Sequence, residues 1–355
     1  MKSVLKKSAF LLLACLMVAG SLAGCTSRTG LKGSGATFPQ PLYELWFGKY
    51  YNQTGIQVNY GAGGSGTGIS DITNGIVNFG ASDALLTPVQ LAKFQESRGD
   101  LITIPTTSGA VAIIYNIDGV GNGELCLSGE VLADIYLGKI KKWNDPAIVA
   151  LNPSLNLPKE KNDILVMFRS SSSGTTNIFT TYLSQVSPDW AEGPQAGTAV
   201  KWPVGLGHSG STDLAGAVKN NPNAIGYVEL AYATQNNVHC AKMRNKAGND
   251  ILPSLESATA ASEGVSLPDD MRVMITNSPA QWAYPIVGFT WILVCANQTN
   301  QTKGQLLVDL LWWVIHDGQE FCSDLGYPRL STAAVLKAEA LIRAIKYDGQ
   351  QIYTK

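Results

Sequence analysis

The feature that most constrains this chain is an alternation of short apolar runs with stretches whose apolar residues fall at helical spacing. Gln57 to Tyr60, Val77 to Gly80, Val111 to Ile117, Ile164 to Phe168 and Phe289 to Cys295 have the length and β-branched content of strands. Between them, Ile69, Ile72 and Ile76 mark one helix, and Ile178, Phe179, Tyr182, Leu183 and Val186 mark the apolar face of another. Two more helices are expected at about 305–324 and 332–346, and turn-rich segments at 119–158 and 193–210. The order predicts an α/β fold. At 355 residues there is length for two domains of roughly 150 residues each, yet no linker or internal repeat separates them. The chain is therefore expected to cross between two lobes more than once.

The N-terminal residues read as an address. Lys2, Lys6 and Lys7 precede an apolar run from Ala9 to Gly20, too short to span a bilayer but suited to a signal peptide. The run ends in Leu22-Ala23-Gly24-Cys25, which resembles the bacterial lipobox; the expectation is a signal peptide over 1–24, lipidation of Cys25 and a tether over 25–30. Loss of the three lysines takes the formal charge from −1 to −4, so nothing points to nucleic acid. In an oxidising compartment Cys126, Cys240, Cys295 and Cys322 could pair in three ways. Pairing within each lobe, Cys126 with Cys240 and Cys295 with Cys322, is set against free buried thiols. No ligand-like spacing to a histidine predicts a metal site.

Three places share one design, in which small and hydroxyl residues open a helix directly after a strand or loop. They are Gly33 to Pro39, where Thr37 is positioned to cap; Gly63 to Gly68; and Ser170 to Thr176, immediately after Arg169. A helix N-terminus offers unpaired N–H groups and partial positive charge, so three of them with one arginine could surround a tetrahedral oxyanion. Gly61 to Gly66 also fits the dinucleotide fingerprint, with Asp83 17 residues on, but an exported protein seldom meets a dinucleotide. Ile69 stands where a phosphate-binding-loop lysine would be, and Gly207-His208-Ser209-Gly210-Ser211 is no nucleophile elbow. His208, His239 and His316 lie outside all three motifs.

Gly33-Ser34-Gly35-Ala36-Thr37-Phe38-Pro39-Gln40-Pro41-Leu42-Tyr43 resembles the opening signature of the phosphate-binding proteins of the Pst transport system. So do Val77 to Asp83, Asp134 to Ile140, Trp202-Pro203-Val204-Gly205 and Ala224 to Glu229, in order, from about Leu31 to near the C-terminus. The resemblance implies a two-lobed periplasmic binding protein of the type II class, with a mixed sheet flanked by helices in each lobe and the ligand in the cleft. Lobe I would take 31–107 and 284–355, and lobe II 108–283. It further implies a monomer without a cofactor, held at the outer face of the cytoplasmic membrane or in the periplasm, that hands inorganic phosphate to the permease and ATPase subunits of an ABC importer.

Carried over by motif, the implied ligands are Thr37, Phe38 (through its backbone N–H), Ser65 and Asp83 from lobe I, with Arg169, Ser173, Gly174 and Thr175 from lobe II. Arg169 supplies a bidentate fork. An ionised Asp83 only accepts hydrogen bonds, so it suits an anion that still carries a proton and repels sulfate. Ser171 stands where family members often carry an acid, which leaves Arg169 less neutralised, and His208 stands where they commonly have glycine. The competing readings are a binder of another protonated oxyanion such as a phosphonate, and a secreted phosphatase. The phosphatase would need a base or metal beside a serine. The Lys139-Ile140-Lys141-Lys142-Trp143 run reads as a solvated face with Trp143 packed inward, or as an importer contact.

Overall fold

In the computed structural model, residues 30–263 and 265–353 are described. The signal segment, Cys25 and the tether up to residue 29 lie outside them. One sheet of nine strands organises the molecule: β1 (Gly30–Gly35), β2 (Gln57–Gly61), β3 (Phe79–Ser82), β4 (Leu101–Asn116), β5 (Leu165–Arg169), β6 (Leu206–His208), β7 (Ala224–Glu229), β8 (His239–Cys240) and β9 (Val287–Cys295). Their order is β2-β1-β3-β9-β4-β7-β5-β6, with β8 also on β4. β1, β2 and β3 run parallel, β9 and β4 antiparallel to their neighbours, and β7, β5 and β6 parallel again.

The 16-residue β4 belongs to both halves. Leu101 to Ala110 pairs with β9, and Val111 to Asn116 pairs with β7. Sequence periodicity finds only its second half. Thr103, Pro105, Thr106, Thr107 and Ser108 make the first half polar by composition, yet Thr103, Thr106, Thr107 and Ser108 are buried. Thr107 donates to the Pro328 carbonyl and Tyr43 shares a hydrogen bond with Thr106, so those hydroxyls are satisfied by partners distant in the chain.

Helices cover both faces: α1 (Gln40–Thr54), α2 (Ser65–Thr73), α3 (Pro88–Arg98), α4 (Gly174–Val186), α5 (Gly210–Asn220), α6 (Leu230–Asn236), α7 (Gln301–Ile315) and α8 (Thr332–Arg343). α1 buries Leu42, Tyr43, Trp46, Phe47 and Tyr50 on one stripe. Tyr43, Phe47, Tyr60 and Phe79 pack edge-on, tilted or stacked at centroid distances of 5.3–6.3 Å, the core of the first half. In the second half Tyr136, Phe179, Trp202 and Tyr227 form the corresponding stack. The 119–158 segment is more regular than its turn residues suggest, with helices over Gly129–Tyr136 and Pro146–Leu151. Ile76 is not on the α2 face: the helix ends at Thr73, Gly75 turns with φ +70°, and Ile76 is 52% exposed. The C-terminal helix expected to reach 324 stops at Ile315 and continues as two short 3₁₀ turns.

The cysteine pairing expected from the sequence does not form, because Cys126, Cys240, Cys295 and Cys322 are four free, buried thiols. Cys126 sits on a separate three-stranded sheet while Cys240 is on β8. Cys295 ends β9 opposite Leu101, and Cys322 is held between the 3₁₀ turns with its thiol toward Gln319. Trp143 is fully buried and donates to the Asn223 carbonyl, whereas Lys139 is drawn into ion pairs with Asp134 and Asp189. No described helix is long and apolar enough to cross a membrane.

Candidate functional site

The three motifs meet where the two halves of the sheet face each other. Thr37 and Phe38 lie between β1 and α1, and Ser65 opens α2. Asp83 follows β3, Arg169 ends β5, and Ser173, Gly174 and Thr175 open α4. All eight are buried, Ser65 completely and Asp83 and Arg169 to 1% and 3% exposure.

Ser65 and Gly66 carry contacts directly across the halves, to Gly174 and Ser172. The Ser65 hydroxyl accepts from the backbone N–H of Gly174 (3.0 Å) and of Asp83 (3.2 Å). The Gly66 N–H donates to the Ser172 carbonyl at 3.3 Å. Two glycines make this approach possible. A Cβ on Gly174 would stand 2.6 Å from Asp83 Oδ2, and one on Gly64 would stand 2.5 Å from the Ser172 carbonyl at a φ of +98° that side chains rarely adopt.

Among the described residues Arg169 is the one cation bonded to the hydroxyls of this site. Its Nη1 donates to Thr37 Oγ1 and to Ser211 Oγ, each at 3.1 Å, and its Nη2 donates to Ser171 Oγ at 3.0 Å. Its Nε is buried without a partner. Burial pulls the guanidinium below its ordinary range, opposed by nearby Tyr227 and Asp83. Hydroxyls, and no carboxylate at ion-pair distance among the described residues, therefore hold the fork in place.

Asp83 is placed to accept. Oδ1 takes a hydrogen bond from Thr290 at 2.7 Å, while Oδ2 faces the Ser65 hydroxyl at 3.4 Å. Burial pushes the carboxyl up to about 7; Thr290, Arg169 and Ser65 oppose that rise. Near neutral pH the group thus sits at the balance between acceptor and donor.

Thr37 does not cap α1 as the sequence suggests. Pro39 occupies the cap position without a side-chain hydrogen bond, because the Thr37 hydroxyl is committed to Arg169 and Ser211. Ser173 does cap α4, accepting from the Thr176 N–H at 3.3 Å. The loop is instead fixed through its carbonyls. Tyr232 donates to the Thr37 carbonyl and Tyr327 to the Phe38 carbonyl. A trans peptide points its C=O and N–H in opposite directions, so Tyr232 aims the Phe38 N–H away from itself. Among the described residues nothing accepts from that N–H.

Sequence reasoning missed Ser211, Thr290, Tyr232, Tyr327 and Glu229, whose signals are single residues in ordinary helices, strands and turns. Glu229 is fully buried at the end of β7. Its Oε2 accepts from the Ala231 N–H at 2.8 Å, its Oε1 has no partner, and burial raises its carboxyl far above the usual range. The histidines stay away from the reacting geometry. His208 lies beside Arg169 on the neighbouring strand, but its Nδ1 faces Asp213 at 3.7 Å, and His316 bonds Glu339. Among the described residues no cluster of acids, histidines or thiols is arranged for a metal ion.

A sequence profile of the PBP superfamily domain matches residues 22–317. A phosphate-binding protein PstS of Pasteurella multocida is 39% identical over 317 residues, covering 89% of this chain and 90% of its own length. A protein of the same name from Xylella fastidiosa is 38% identical over 89% of this chain and 85% of its own. Among solved structures, a high-affinity periplasmic phosphate-binding protein, PfluDING, solved with phosphate bound, superposes with a TM-score of 0.71 at 22% identity. That match covers 88% of this chain and 93% of the other, which establishes a shared fold.

Proposed function

The chain belongs to the PstS family of phosphate-binding proteins within the PBP superfamily, and on that premise we propose that it captures inorganic phosphate outside the cytoplasm and delivers it to an ABC importer. The observation that carries this reading is the pairing of a buried acceptor carboxylate with a buried arginine fork and inward N–H groups at one closed interlobe site. Donors alone would take any oxyanion. The carboxylate adds a requirement for a proton on the ligand, which phosphate and arsenate meet and sulfate does not.

In this reading Arg169, the Thr37 and Ser173 hydroxyls and the N–H groups of Phe38 and Thr175 donate and Asp83 accepts, while the Ser65 hydroxyl and the Gly174 N–H, bonded to each other at 3.0 Å, exchange their present bonds for ones to phosphate. Lobe I comprises 31–107 and 284–355 and lobe II 108–283; the change of partner along β4 at Ala110/Val111 supports that division. Cys25 carries the lipid and 25–30 tethers a monomer to the outer face of the membrane. Ser65 accepts two N–H bonds and no histidine approaches it, so the site favours capture over ester hydrolysis. Isothermal titration of the mature chain at pH ~8.5, where Asp83 is ionised, with phosphate, arsenate and sulfate tests the reading: the first two bind and sulfate does not. Equal binding of sulfate would overturn it.

A further inference from the structure

Away from the cleft, a second cationic cavity of about 190 Å³ opens at the edge of lobe I. The turn Gly75 to Asn78, Arg98 at the end of α3, and the segment leading into α7 up to Lys303 line it, with side-chain amides between the two cations and no carboxylate. The Arg98 Nε is buried without a hydrogen-bond partner. Neither cation takes part in an ion pair among the described residues. Of the nearby acids, Asp71 accepts from Ser34 at 2.7 Å, and neither Asp71 nor Asp100 is within ion-pair distance of Arg98 or Lys303 among the described residues. The N-terminus of α7, capped by Asn300, adds its partial positive charge.

The position of this cavity matters as much as its charge. Lys303 Nζ bonds the carbonyl of Gly30, the first described residue, which is five residues after Cys25. An extended chain spans at most about 3.6 Å per residue, so Gly30 stays within ~18 Å of an acylated Cys25. Such a short tether turns this edge toward the lipid. Ile76, exposed on the lining turn, adds an apolar side chain at the cavity mouth that an acyl region could accept.

We infer that this cavity holds the phosphate of an anionic phospholipid headgroup and so orients the anchored protein on its membrane. The inference rests on the lipid-anchor reading of Cys25 and adds a second, electrostatic contact to the acyl chain. A basic side chain near an anionic surface strengthens association about fivefold.

The test reconstitutes the mature acylated chain with vesicles of phosphatidylcholine alone or with about a third phosphatidylglycerol. Hydrogen exchange is then followed at 75–78 and 297–300. Exchange at both segments should slow at least about fivefold in the anionic vesicles only. The slowing should vanish in Arg98→Gln/Lys303→Gln and weaken in the surface variant Ile76→Glu, with cleft phosphate affinity unchanged. Equal exchange in the two kinds of vesicle, or slowing that survives the double substitution, would sink the inference. The same slowing by inorganic phosphate without vesicles would also overturn the lipid assignment. Intact mass reports acylation of Cys25 and titration reports cleft phosphate, so failure of either earlier reading is recognised separately.

Discussion

Replacing Asp83 with asparagine changes one oxygen into an amide at a fully enclosed position. Oδ1 keeps its bond from Thr290 at 2.7 Å if the amide oxygen takes that side, which leaves the NH₂ where Oδ2 faces the cleft and Ser65. A phosphate proton then loses its acceptor. A buried hydrogen bond to a charged group contributes about 1.5 kcal/mol or more, so phosphate weakens by roughly tenfold. Sulfate gains a donor and loses the repulsion of a like charge, which contributes a similar amount in the opposite direction. Together the phosphate-over-sulfate ratio should fall by about 100-fold, a change of ~3 kcal/mol.

Competition titrations across pH 5.5 to 8.5 (roughly 1.5 units either side of neutral) sharpen the test. With its carboxyl pushed up to about 7 by burial, Asp83 gains a proton below neutrality and can then donate to sulfate. The parent protein should therefore lose selectivity as pH falls, and Asp83→Asn should be flat. Phosphate's own ionisation cancels when the two proteins are compared at each pH. An asparagine variant that keeps the parental ratio within about threefold would refute the acceptor role of Asp83.

Arg169→Lys keeps the charge but loses the fork that reaches Thr37, Ser211 and Ser171, and calorimetry should show phosphate weakened about 10- to 100-fold. Ser171→Asp puts a carboxylate beside Nη2, and the salt dependence of phosphate binding should become shallower than in the parent. Tyr232→Phe releases the Thr37 carbonyl, and about a fivefold loss of phosphate affinity without a change in fold by circular dichroism is expected. For stability without ligand, the raised Asp83 carboxyl favours the folded state fully below the unfolded value near 4, and this advantage is lost as pH rises toward 7. Melting curves should place Asp83→Asn above the parent at pH ~8.5, by up to ~4 kcal/mol, with the gap closing in acid. Because all four described cysteines are free thiols, reductant should leave the melting temperature unchanged.

Much of this arrangement is legible in the chain because helix starts are written locally. A glycine and a hydroxyl before an apolar helical stripe, as at Gly64-Ser65 and Ser173-Gly174, announce N–H groups without reference to anything distant. Thr37 shows the limit of that logic, since its hydroxyl was free to cap α1 until Arg169, 132 positions away, claimed it. Ser211, Tyr232 and Tyr327 act through tertiary contacts that leave no periodic trace. The polar first half of β4 escaped for a related reason, as its hydroxyls are paid for by partners far along the chain, such as the Pro328 carbonyl. The cysteines misled in the opposite direction: compartment chemistry permits pairing, but different sheets hold Cys126 and Cys240.

The strand that serves both halves also sets the mechanics of capture. At its midpoint β4 changes partner from Ala110, opposite Val287, to Val111, opposite Glu229, and the Val111 N–H bonds the Ile286 carbonyl at 2.7 Å. The two crossings are thus laced to each other by backbone bonds. Any relative motion of the two halves has to be taken up as twist in these adjoining strands, because bending them apart would break the bond that laces them.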